Sequence, residues 1–356
     1  MTRRELPPIP YNDALEEIPV NEAENIQHAV QSLEAILLRS REDGRQVHGH
    51  IHAKTHGVVR GEFRVLPNLP VELAQGLFAT EHAYQATARF SNSASQSKAD
   101  YLPDGRGMAI KVLHVDGERV LSESDDPQTQ DFVMINHPVF FARDVEDFLR
   151  LEEVAGSNER KLPKIQKALT GGDWNPLHWH WQGMANAIKN ASHLPTHPAS
   201  NPYFSMVPIR FGKYVAKYRA VPAGDMPVSL LEVIAKFGTQ ADAMRLMLEE
   251  TLAHQQILFE FQVQLRVSEN SMPVEDATVE WPENLAPYRT VALFLIPRQD
   301  MKVESSIEAR RALSFNVWHA IADHRPLGGI NRLRKAVYPT AAAWRLSETD
   351  ATRKSQ

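Results

Sequence analysis

Between Gln256 and Val267 every second residue is a large apolar one. Ile257, Phe259, Phe261, Val263, Leu265 and Val267 fall on one side of an extended chain, with mostly polar residues between them. A period of two with one apolar side is the mark of a β-strand covering a core, and a one-residue slip would turn that whole side to water. Thr290 to Ile296 then forms an unbroken apolar run, which reads as a strand buried more fully. Val58 to Val65 and Met108 to Val115 are β-rich and bounded by Gly or Pro, and His48 to Ala53 alternates in side-chain direction.

Helical periodicity appears in four places. After Asp13 the segment Tyr11 to Asp43 carries Ile26, Val30, Leu33, Ile36 and Leu37 on one stripe, and Gly44 ends it. Further helices are expected near Asp144–Leu169, near Pro227–Leu252 across Gly238, and from Ile330 to Arg345, where Leu333, Val337 and Trp344 form the stripe. Gly171 to Pro202, rich in Trp, His, Pro and Asn, reads as an irregular connection with one short helix. With no internal repeat and no linker, the chain reads as one α+β domain over residues 1–356. A helical arm occupies 1–44 and a polar, frayed tail 347–356.

Composition excludes several kinds of chemistry. Among 356 residues there is no cysteine, which removes disulfides, thiolate metal sites, iron–sulfur clusters and cysteine nucleophiles. The net charge of −5 gives no electrostatic reason to expect nucleic acid. No run approaches the ~18 consecutive apolar residues of a membrane-spanning helix. The first residues have two arginines but no apolar core behind them, so a secretory signal is not expected and a cytoplasmic location is. Hard chemistry falls to histidine, carboxylate, tyrosine and arginine, and the 15 histidines are unevenly placed.

The densest stretch is Gly49-His50-Ile51-His52-Ala53-Lys54-Thr55-His56-Gly57-Val58. On a strand, His48, His50 and His52 share one face, which could hold a divalent metal, be one working histidine with exposed neighbours, or be a plain polar face. His178-Trp179-His180-Trp181 repeats the alternation in a proline-rich setting that suits a metal less well.

Ile51-His52-Ala53-Lys54, with Gly57 and Gly61-Glu62-Phe63 after it, resembles the distal-histidine strand of haem catalases. Further matches follow in that family's order: Ala88-Arg89-Phe90-Ser91, Asp104-Gly105-Arg106-Gly107-Met108-Ala109-Ile110-Lys111, Pro138-Val139-Phe140-Phe141-Ala142-Arg143-Asp144, and Arg334-Lys335-Ala336-Val337-Tyr338. Glu280-Trp281-Pro282 is similar to another of its landmarks. The matches span roughly residues 45 to 345, and the chain is identified as a member of the haem catalase superfamily, resembling its short bacterial peroxidase-like group.

That resemblance implies a closed antiparallel β-barrel with surrounding helices and a haem b cofactor. Tyr338 would be the iron ligand, with Arg334 four residues earlier on the same helix face. His52 would move protons at the peroxide, oriented by Ser91. Arg89 would bind a haem propionate and Phe148 would stack on the porphyrin. The family's peroxide-binding Asn falls on Ile135, so Asn136 comes one position late and serves only if its loop shifts register. Gly49 stands where the family has a second propionate arginine, leaving His48, Arg45 or a water to replace it.

The chain ends about twenty residues past Tyr338, without the helical domain that follows in full catalases. The resemblance then implies a haem peroxidase acting on organic hydroperoxides with a small-molecule electron donor. Catalase action on hydrogen peroxide would be weak, and a homodimer is the assembly to expect. Fatty-acid hydroperoxide rearrangement of the allene oxide synthase kind is disfavoured, because those relatives carry Thr before the distal histidine and this chain has Ile51. Two other readings stay open: a non-haem Zn or Fe site on His48, His50 and His52, and a haem-carrying barrel without turnover.

Overall fold

The computed structural model describes residues 6–42, 52–94, 97–122, 127–156, 170, 175, 181–224, 236, 240–301 and 314–354. Nine strands lie in these segments: β1 Thr55–Val65, β2 Ala83–Asn92, β3 Arg106–Val112, β4 Gln130–Ile135, β5 Tyr203–Phe204, β6 Ile209–Phe211, β7 Tyr214–Pro222, β8 Ile257–Leu265 and β9 Arg289–Ile296. All neighbours are antiparallel, in the order β5-β4-β3-β2-β1-β9-β8-β7-β6. The two-residue β5 also pairs with β7, Tyr203 opposite Ala220 and Phe204 opposite Arg219, and this joins the ends of the sheet. The result is a closed eight-stranded barrel, with β6 hairpinned onto β7 outside the ring. Closure leaves the ring no free edge.

The barrel interior is solid. Phe132 and Phe261 have ring centroids 4.6 Å apart, Phe63 and Phe261 5.1 Å, and Phe132 and Tyr218 5.1 Å. Such rings fill the lumen, so a large ligand must sit outside it. The alternation on β8 behaves as its sequence requires, with Ile257, Phe259, Phe261 and Val263 buried in this core.

Among the described residues five helices surround the barrel: α1 Glu22–Glu42, α2 Val145–Gly156, α3 Trp181–Ala191, α4 Ala243–His254 and α5 Gly329–Lys354. The N-terminal helix starts later than its periodicity suggested, because Asp13–Leu15 is only a 3-10 turn. The last helix runs past the expected Arg345, through the polar tail to Lys354. The expected helices of residues 144–169 and 227–252 are described only as α2 and α4, and the remainder lies largely outside the described residues.

The start of α5 is clamped electrostatically. Arg332 bonds Glu16 at 2.6 Å, Glu22 at 2.5 Å and Glu275 at 2.9 Å, and those acids hold the guanidinium more firmly protonated than usual despite its burial. Glu16 and Glu275 also accept from the backbone N–H groups of Gly328 and Gly329, the orphan donors of the helix N-terminus.

Candidate active site

Strand register builds the floor of the site. On β2, Ala86, Ala88 and Phe90 face the core, so Arg89 and Ser91 face outward. Across the ladder Arg89 pairs with Ala109 and Ser91 with Gly107, while on β4 Val133 pairs with Ala109. The outer face is thus nearly flat in the middle, where Gly107 and Ala109 carry almost no side chain. Tyr338 and Ala341 of α5 come down over it. Together with His52, Phe315, Met108 and Met134 these residues line one cavity.

His52 is not on a strand. Its backbone is left-handed, with φ +54°, and β1 begins only at Thr55. The expected shared face of His48, His50 and His52 therefore fails at His52, while His48, His50 and the propionate position Gly49 lie outside the described residues, as do Arg45 and 176–180. A positive φ at a residue with a side chain costs roughly 1–3 kcal/mol and persists only where its surroundings impose it.

The surroundings do so. Arg89 donates to the His52 carbonyl at 2.6 Å and to Thr55 Oγ1 at 2.9 Å. Ala53 N donates to the Ala94 carbonyl at 3.1 Å, Asn92 N to the Lys54 carbonyl at 3.0 Å, and Lys54 N to Asn92 Oδ1 at 2.8 Å. Asp104 braces the opposing turn, accepting from Asn92 Nδ2 at 3.1 Å, Ser93 Oγ at 2.9 Å and Ala94 N at 3.2 Å.

The imidazole is held as firmly as its backbone. Nδ1 lies 2.5 Å from the Asn92 carbonyl, which can only accept, and 3.2 Å from Ser91 Oγ. The hydrogen-bond pattern therefore assigns the proton to Nδ1 and the lone pair to Nε2. Burial, then the Arg89 guanidinium, pushes this histidine down to about 4, with Arg334 acting in the same direction. It is neutral near pH 7. Gly107 is the seat of the ring: a Cβ there would stand 2.6 Å from Nδ1, 2.7 Å from Cε1 and 2.8 Å from Ser91 Oγ.

The structure brings His52, Ser91, Arg89 and Tyr338 together and does not add the other expected residues to the cavity lining. Arg334 is buried one turn before Tyr338, but its guanidinium donates to Asn331 Oδ1 at 3.2 Å and lies 5.7 Å from the Phe140 ring centre. Among the described residues nothing hydrogen-bonds the Tyr338 phenol. Asn136 bonds the backbone of Arg106. Its Oδ1 accepts from Arg106 N at 2.7 Å and its N donates to the Arg106 carbonyl at 2.8 Å, so it extends the β3–β4 ladder and lies outside the cavity. Phe148 stacks on Phe140 at 6.3 Å and packs beside Phe141 between α2 and α5.

Sequence reasoning passed over four participants. Gly107 and Asp104 lay within a quoted motif without a role, and their signal was a glycine and a carboxylate at the start of a strand. Asn92 directly follows the expected Ser91. Phe315 carried no signal, and it reaches the cavity because buried Asp131, paired with Lys111 at 2.6 Å, accepts from Asn316 N at 2.9 Å. Among the described residues no group of three or more His, Asp or Glu could hold a metal ion, and no helix is long and apolar enough to cross a membrane.

A closed antiparallel barrel with a tyrosine-bearing helix laid over its outer face is the fold of the haem catalases. Residues 17–170 match the Catalase family model. Similar solved structures include a fungal catalase (TM-score 0.62, 18% identity, covering 83% of this chain and 59% of that one). Catalase A from Saccharomyces cerevisiae gives 0.62, 18%, 83% and 61%, and a bacterial catalase 0.61, 16%, 95% and 63%. The chain spans about three fifths of the length of these catalases. Among curated proteins none matches it by sequence. Residues 17–170 are thus similar in sequence to the Catalase family, and the fold is that of the catalases.

Proposed function

We propose that the chain holds haem b between Tyr338 and His52 and reduces peroxides, organic hydroperoxides in preference to hydrogen peroxide, using a small-molecule electron donor. The observation that carries this reading is the convergence of those two side chains on one cavity.

The donor set fits such a group. Tyr338 offers a hard oxygen with no competing hydrogen bond among the described residues, and Arg334 places a buried cation one helical turn away, complementary to an anionic oxygen. Arg89 lines the cavity with a guanidinium suited to a propionate. The flat face of Gly107 and Ala109 suits a planar ring. When bound, ferric haem supplies the redox centre for cleaving the O–O bond.

The protein's own residues handle the proton. His52 is neutral, its Nδ1–H is committed to Asn92, and the Nε2 lone pair is left to take a proton from the peroxide and return it to the leaving oxygen. Among the described residues no side-chain amide lines the cavity with it: Ile135 occupies the strand position matched by the resemblance, and Asn136 is tied to Arg106. That supports weak turnover of hydrogen peroxide. Val133, Phe315 and Ala341 give the cavity an apolar wall that favours an alkyl or aryl hydroperoxide.

The test is donor oxidation driven by cumene hydroperoxide in haem-reconstituted protein. His52→Ala should lower the rate roughly 10²–10⁴-fold, the usual contribution of a positioned acid–base group. An unchanged rate contradicts the assignment.

A further inference from the structure

A buried polar atom without a hydrogen-bond partner costs about 1–3 kcal/mol, so such atoms are few in a folded protein. Among the described residues nine side-chain atoms are in this state, and six of them belong to His56, Arg106, His137, Asn190 and His193. These residues come from β1, β3, the segment after β4 and the C-terminal end of α3, and the elements meet around Arg106. The His137 and His193 rings pack edge to face with centroids 5.7 Å apart. The His193 carbonyl accepts from Asp104 N at 3.2 Å, and Asn190 Oδ1 lies 2.5 Å from where a Cβ on Gly105 would stand. On the β1 side, Nδ1 of the bulge residue His56 lies 3.6 Å from Asp100 Oδ1, too far for a direct hydrogen bond.

His56 is 1% exposed, Arg106 2% and His137 7%, while Asn190 and His193 are half-buried. None of the five residues lines the cavity of His52 and Tyr338. Their chemistry restricts what can fill the space. Arg106 Nε–H can only donate and Asn190 Oδ1 can only accept, while each neutral imidazole offers one of each. Burial first, then nearby positive groups, keeps the three histidines below their ordinary range: Arg106 and Lys54 act on His56, His193 and Lys189 on His137, and Arg106 on His193. A metal cation would meet the Arg106 charge. An anion would meet the Asn190 oxygen and the Asp100 carboxylate. A small molecule bearing O–H groups satisfies all of them.

We propose that the space around Arg106, bounded by His56, His137, Asn190 and His193, is a second binding site, taking small neutral hydroxylic molecules, the chemistry shared by water and hydrogen peroxide. The site backs onto the Asp104–Gly107 segment that seats His52, so its occupant would stiffen that support.

The test is a crystal structure of the purified protein at a resolution that shows solvent, from native crystals and from crystals soaked in hydrogen peroxide. Ordered density is expected within about 3.2 Å of both Arg106 Nε and Asn190 Oδ1. Elongated density after soaking identifies peroxide as an occupant, and unchanged density identifies water alone; both support the site. It is overturned if Arg106 Nε and Asn190 Oδ1 turn onto protein atoms with no density between them, or if a metal ion sits on His137 and His193. In Asn190→Leu, which removes one of its two partners, that density should be lost or move off position 190; density unchanged in place and occupancy overturns the assignment of Asn190. No outcome depends on turnover, so the site can fail without the haem reading failing.

Discussion

His52 Nδ1 stands 2.5 Å from the carbonyl oxygen of Asn92, forty residues along the chain and on the next strand. A backbone carbonyl cannot donate, so the contact fixes which nitrogen of the imidazole is free. It also explains why so much of the surrounding structure is devoted to one turn: Asp104, Asn92 and Arg89 each hold the backbone on one side of this bond or the other.

Gly107→Ala should separate seating from folding. The added methyl would meet the His52 ring at 2.6 Å and Ser91 Oγ at 2.8 Å, and neither neighbour can move without breaking the Nδ1 contacts. A displacement near 1 Å at a reacting group costs on the order of 100-fold in rate. Peroxide-driven donor oxidation should fall by about that factor, with haem binding retained. A rate within twofold of the parent would show that His52 is not seated on Gly107.

Asp104 is the brace of the same turn. In Asp104→Ala the hydrogen bonds from Asn92 Nδ2, Ser93 Oγ and Ala94 N lose their acceptor. At about 1–3 kcal/mol for a buried group left unpaired, chemical denaturation should show a loss on the order of 3 kcal/mol. Ser91→Ala, which leaves the Asn92 carbonyl in place, should cost less than 1.5 kcal/mol by the same reasoning, roughly the net worth of one hydrogen bond. Equal losses in the two variants would contradict the hierarchy.

Stability should fall on the acid side of neutrality. Burial pushes His52, His137, His197 and His324 down to about 4, so each is neutral in the folded protein where the unfolded chain is already protonated. Their contribution is complete above pH 6.5 and is lost as pH falls from 6.5 towards 4, at about 1.4 kcal/mol per pH unit for each histidine. Glu152, raised by burial to about 7, acts in the opposite sense, losing its contribution as pH rises from 4.5 to 7. Four groups outweigh one. Urea midpoints should therefore rise from pH 4.5 to 6.5 and level off above 7, and a maximum near pH 5 would contradict this balance. Peroxidase action relying on neutral His52 should hold down to about pH 5.

The barrel was legible where a strand has one clear face. The β8 alternation named its buried residues, and the apolar run of β9 named its strand. The two-residue β5, which closes the ring by pairing with β7, has no periodicity to read. The site was legible where chemistry and strand parity coincide, as at Arg89 and Ser91, two residues apart on the outward face of β2. It failed where one residue leaves the regular pattern. His52 lies in a left-handed bend, not on a strand, and Asn136 spends its amide oxygen on the Arg106 backbone. Nothing in the spacing distinguishes an asparagine that caps a ladder from one that faces a ligand. Phe148 misled for a related reason, since an aromatic on an amphipathic helix satisfies both readings and Phe140 and Phe141 claim it.

The central claim is that Tyr338 binds the iron of a haem lying over the outer face of β2, β3 and β4. The absorption spectrum of the haem-reconstituted protein, compared with that of Tyr338→Phe, tests it most directly. The parent should show a ferric tyrosinate signature that the variant lacks, because no other phenol lines that cavity. Identical spectra from the two proteins would contradict it.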